Sequence, residues 1–196
     1  MNLKPLFIIL FTSLTVVAQQ KDVKQQIANE FTEYQEAISD KDFEKALDYI
    51  VPGFFEIYPK ADLLKLMEQS FNNPDITFEI TNLKIENIEA PEHIDEKHYA
   101  LLTYSNQMNM KFMSQDSLTD EEKKSRISMT LISLEQSFGS NNVSYDAATD
   151  FFRVKAEKQV YAISENGSSD WKFLAIEKGQ KAILEQLLPA ELSRKL

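Results

Sequence analysis

The apolar pattern of this chain first changes period at Pro74, and that change restricts the fold more than any other feature. Before it, apolar side chains recur every three or four residues; after it, they mostly alternate. Ile27, Phe31, Tyr34 and Ile38 fall on one stripe and predict a helix over 22–39. Asp40 is placed to cap a second helix, whose apolar face is Phe43, Ala46, Leu47 and Ile50 and which Pro52-Gly53 stops. An apolar connector, Phe54-Phe55-Glu56-Ile57-Tyr58-Pro59, leads into a third helix over 60–71. That helix presents Leu63, Leu64, Met67 and Phe71, and ends at Asn72-Asn73-Pro74.

Past Pro74, Ile76, Phe78 and Ile80 alternate with Thr77, Glu79 and Thr81, which is the period of a strand. Leu83 and Ile85 continue in the opposite parity, so a bulge or bend is expected near Asn82. Residues 90–96 read as a polar turn. A long strand over 97–113 then puts Ala100, Leu102, Tyr104, Met108, Met110 and Phe112 on one face. Helical spacing returns over 119–138: Thr119 and Glu122 form a capping box, and Ile127, Leu131, Leu134 and Phe138 form a stripe that Gly139 closes. Strands over 150–165 and 171–176 flank a tight turn, and a C-terminal helix over 179–188 precedes Pro189. Helices first and long antiparallel strands afterwards define an α+β fold, with helices packed on one face of a bent sheet.

The first eighteen residues read as an export leader. Lys4 charges a short start, residues 5–17 are uncharged and largely apolar, and Val16-Val17-Ala18 offers small residues for cleavage before Gln19. The apolar stretch is shorter than the ~20 residues of a membrane-spanning helix. The expectation is a signal peptide over 1–18 and a single domain over 19–196, delivered to the periplasm or the cell exterior.

The composition narrows the partners. The net charge is −10, one unit more negative if Lys4 leaves with a leader, and the charges are scattered. Such a surface repels nucleic acid phosphates and anionic lipid headgroups. There is no cysteine, so thiol catalysis, cysteine-based zinc sites and disulfides are excluded, and stability must come from packing. With four glycines in the chain, no phosphate-cradling glycine loop is present, and no nucleophile-elbow motif supports a Ser-His-Asp arrangement.

The helix pair ending in Ile50-Val51-Pro52-Gly53-Phe54-Phe55, the third helix, the bent strand after Pro74 and the closing Trp171-Lys172-Phe173-Leu174-Ala175-Ile176-Glu177 together resemble the NTF2-like superfamily. This is the cone-shaped fold shared by ketosteroid isomerases and SnoaL-like proteins. The resemblance covers about residues 22–177, and the helix over 119–138 departs from the family pattern as an insertion or a helix at the cone mouth. It implies an apolar pocket between helices and sheet, with Tyr49, Phe54, Phe55 and Tyr58 near its mouth and Tyr104, Met108 and Met110 on the sheet side. Aromatic and methionine side chains are ordinary core material, so filling of the cone is the favoured reading of the same residues.

Enzymes of this fold place an acid, a His-Asp pair or a Tyr-Asp pair in the pocket. Here His93 and His98 belong to a polar turn, and Glu56 and Glu177 are the acids nearest to inward-facing positions. Metal sites are discounted on spacing. His93, Asp95 and His98 lack a supporting helix motif. Met113 faces away from Met108 and Met110 on a strand, so the three thioethers diverge from any Cu(I). Asn142-Val143-Ser144 and Asn166-Gly167-Ser168 fit the glycosylation pattern, which carries no weight in a bacterial protein. The expectation is therefore non-catalytic binding of an apolar small molecule or a protein segment, without a cofactor. The alternatives are a homodimeric or envelope-complex subunit, and an isomerase- or hydratase-type enzyme.

Overall fold

The computed structural model describes residues 12–113, 118–177 and 179–195, with side chains from Asp22 onward. Residues 1–11 of the expected leader lie outside the described residues. The first helix, α1 (Thr12–Ser39), runs back through the remainder of that stretch and so starts earlier than the apolar stripe alone indicates. Then come α2 (Phe43–Asp48), a single turn α3 (Phe54–Ile57) and α4 (Lys60–Phe71). The cap of α2 is Asp42 and not Asp40: its carboxylate accepts the Lys45 N–H at 3.2 Å, two residues later than the sequence pattern indicates. Lys41, with φ of 61°, makes the tight turn between the two helices.

The sheet consists of β1 (Ile76–Ile88), β2 (Glu92–Ile94), β3 (Lys97–Phe112), β4 (Val143–Asp146), β5 (Phe151–Ser164) and β6 (Lys172–Ile176). All ladders are antiparallel, and the sheet is curved and unclosed. β3 and β5 form its centre; β1 and β2 share the outer edge of β3, while β4 and β6 share the outer edge of β5. The bulge expected near Asn82 is present. The β1–β3 register slips between Thr81 and Lys84, and Asn82 takes a φ of 55°. Two short strands, β2 and β4, add to the expected set.

Alternation decides what each sheet face buries. On the inner face, Ala100, Leu102 and Tyr104 of β3 and Val160 and Ala162 of β5 meet Ile27 and Phe31 of α1, with Trp171 and Phe173 beside them. The opposite face is apolar at the same end of β3 and β5, where Tyr99, Tyr161 and Ile163 lie under Leu184, Leu188 and Leu192. These leucines belong to the C-terminal pair α6 (Lys181–Leu187) and α7 (Ala190–Ser193), separated by Pro189, and to their connector. Helices thus pack on both faces instead of one. The cause is the run Val160-Tyr161-Ala162-Ile163, which is apolar in both parities and needs cover on each side.

The remaining helix, α5 (Asp120–Phe138), carries the expected capping box, with the Glu122 N–H bonding Thr119 and the Glu122 carboxylate accepting the Thr119 N–H at 2.8 Å. It lies by β4 and β5 without one fully buried residue, and Met129 and Ile132 are 63% and 54% exposed. Among the described residues no helix is long and apolar enough to cross a membrane.

Candidate functional site

The residues named from sequence divide between the two sheet faces. Tyr104 and Tyr49 belong to the inner aromatic cluster around Phe173. The Tyr104 ring lies 4.8 Å from Phe31, and the Tyr49 ring 6.0 Å from Tyr34 and 6.4 Å from Phe173. The Tyr49 hydroxyl donates to Glu33 at 2.6 Å. Burial and that bond push its pKa up to about 12, while burial alone does the same for Tyr34. Met108 and Met110 continue the inner face, half-buried, paired with Ile80 and Phe78 of β1 and with Val154 and Phe152 of β5. Phe54, by contrast, packs on the opposite face with Val51, Leu174 and Leu184. Tyr58 touches Phe54 at 5.3 Å and is 44% exposed, and the Phe55 ring sits 5.9 Å from the Lys60 ammonium. The sheet therefore separates Phe54, and Tyr58 against it, from Tyr104, Met108 and Met110.

The polar candidates are also apart. His93 and His98 face each other across β2 and β3, ring centroids 4.6 Å apart. Among the described residues no three His, Asp or Glu side chains converge as metal ligands. Met113 is half exposed and accepts a contact from the Thr77 hydroxyl at 3.6 Å. Glu177 is held by Lys158 in an ion pair at the sheet edge.

A hollow forms where α1 crosses β1. It has a volume of about 430 Å3, with Thr32, Gln35, Glu36 and Ser39 on the helix side. Ile80, Leu83 and Ile85 make an apolar floor, and Thr81 and Asn82 bring the bulge to its rim. The bulge explains the space: an extra residue pushes the strand away from its ladder, so the helix cannot follow it closely. Thr32 spends its hydroxyl proton on the Ala28 carbonyl at 2.8 Å, which leaves its oxygen as an acceptor. Gln35 is only 8% exposed, and nothing among the described residues hydrogen-bonds its amide. Asn106 Oδ1, buried and without a hydrogen-bond partner among the described residues, sits on β3 between the register partners of Thr81 and Lys84, opposite the bulge.

None of the groove residues was singled out from sequence. Two signals pointed to it: a glutamine four residues after Phe31, on the apolar side of α1, and the parity change at Asn82. Comparison with models of known families, with curated proteins and with solved structures finds no match in any of the three.

Proposed function

We propose that this is an exported, non-catalytic binding protein that holds an apolar small molecule in the groove between α1 and β1. The observation that carries the reading is the groove itself: about 430 Å3 over Ile80, Leu83 and Ile85, with a few polar groups at its wall. Small-molecule sites typically have ~300–1,000 Å3, an apolar lining and a small number of orienting polar groups. The floor is three aliphatic side chains and the one carboxylate of the lining, Glu36, is exposed to water, which suits retention of a ligand better than proton transfer by a carboxyl or imidazole held against the reacting atom. The curved sheet behind leading helices supports an NTF2-like architecture, and the first eighteen residues support export.

A neutral solvatochromic dye such as Nile red tests the reading. The wild-type chain should bind it with enhanced emission. Ser39→Trp, which places a bulky ring at the exposed end of the groove, should weaken binding at least tenfold. No binding by the wild type, or equal binding by both proteins, overturns the proposal.

A further inference from the structure

We infer that the ligand of this groove is an uncharged amphiphile: an aliphatic body with one head group that both donates and accepts hydrogen bonds, such as a carboxamide or an alcohol. The inference rests on the binding reading above and names its ligand class.

Three observations lead to it. The first is Gln35, a residue only 8% exposed at the wall of the hollow, whose amide has no hydrogen-bond partner among the described residues and is not among the polar atoms closed off from water. Such an amide is open to water from the hollow, and a ligand that displaces this water must replace its hydrogen bonds or lose affinity. An amide offers both a carbonyl acceptor and N–H donors, so its complement is a group of the same dual character. Thr32, with its proton already committed, adds a further acceptor one helical turn away.

The second observation is charge. The lining contains Glu36 and no Lys, Arg or His, in a chain of net charge −10. A carboxylate or phosphate head would enter beside a like charge with no cation to offset its desolvation. Anionic amphiphiles are therefore disfavoured. A cationic head could meet Glu36, but that carboxylate is exposed to water, where such an attraction is strongly screened, whereas Gln35 is buried and favours the neutral head.

The third is shape. Ile80, Leu83 and Ile85 follow one another along β1, a strip that spans roughly 17 Å at strand rise. Such a floor suits a linear aliphatic chain lying along the strand.

Calorimetric titration of the full chain with octanamide, octanoate and octylammonium reads the head-group preference directly at constant chain length. Octanamide should bind roughly tenfold or more tightly than octanoate, the scale of one well-made hydrogen bond against an uncompensated charge. Gln35→Leu should weaken octanamide roughly fivefold or more and so narrow that preference, while the charge-based disfavour of octanoate beside Glu36 remains; a leucine of similar size at this mostly buried position should leave the fold intact. A Thr32→Val variant should weaken octanamide less than Gln35→Leu does. Equal binding of octanamide and octanoate, or tighter binding of octylammonium, overturns the neutral-head inference and leaves the groove reading standing if Nile red still binds there. If neither Nile red nor any octyl compound binds, both fall together.

Discussion

The Glu30 carboxylate of α1 accepts the backbone N–H of Trp171 at 2.6 Å, and its other oxygen accepts the Asp170 N–H at 3.2 Å. One side chain thus joins the first helix to the start of the last strand. The indole of Trp171 is wholly buried beneath the same helix, and its Nε1 has no hydrogen-bond partner among the described residues. The attachment continues at Phe173, whose N–H reaches the Tyr49 carbonyl at 2.6 Å and whose ring packs on Phe31 at 5.1 Å. Because α1 also forms one wall of the groove, whatever seats this helix on the sheet sets the groove width.

Glu30→Ala leaves two backbone donors without their carboxylate and should lower the unfolding free energy by about 1–3 kcal/mol. Glu30→Gln retains one acceptor oxygen and should lose less. Urea denaturation followed by the fluorescence of Trp171, the sole tryptophan, measures both. An unchanged midpoint for Glu30→Ala would show that α1 is seated by its apolar stripe alone.

Much of this architecture was legible in the sequence, and the reasons are physical. The stripe Ile27–Phe31–Tyr34 and the alternation through Ala100, Leu102 and Tyr104 are long, so periodicity averages over many residues and the inner layer follows. The parity change at Asn82 marked the bulge, and Thr119 with Glu122 marked the start of α5. What escaped is short or non-local. β4 has four residues, too few to show a period. The cap of α2 fell to Asp42 because two aspartates two residues apart satisfy the same local rule. The groove arises from the crossing of α1 and β1, segments distant in sequence, so no window of residues contains it. Phe54 and Tyr104 were assigned to one pocket by the family resemblance; only the three-dimensional path puts the sheet between them.

Gly167 faces the His98 ring so closely that a Cβ there would lie 2.7 Å from three ring atoms, and its φ of 71° already disfavours other residues. Gly167→Ala should therefore destabilise the chain by at least ~1–2 kcal/mol, and adding His98→Ala should recover part of the loss. A double-mutant cycle by thermal denaturation gives the coupling, and zero coupling refutes the contact. Partial burial, and then the neighbouring His93, hold His98 below its ordinary value near 6.5. Its neutral form is favoured in the fold, so the related stability is present above pH 6.5 and declines as pH falls through the lowered value. His93→Asn should shallow that acid decline.

The tyrosines set the alkaline limit. Burial pushes Tyr34 up to about 12 and raises Tyr104 further still. The hydrogen bond to Asp150, then burial, brings Tyr145 to about 12. A phenol whose folded value exceeds the ordinary value near 10 stabilises the fold below pH 10, and that contribution is lost as pH rises from there through the folded value. Phenolate absorbance should accordingly rise in a cooperative step that coincides with the loss of Trp171 fluorescence. Independent titration of Tyr34 and Tyr104 near pH 10 in a folded chain contradicts this.

The measurement that bears most directly on the whole account is amide and side-chain chemical-shift mapping of the isotope-labelled chain with octanamide. The account predicts saturable shifts concentrated at Thr32, Gln35, Ser39 and along β1 from Ile80 to Ile85, with the Gln35 side-chain NH2 resonances among the largest movers. Shifts centred on another part of the molecule, or a spectrum that octanamide leaves unchanged, contradict it.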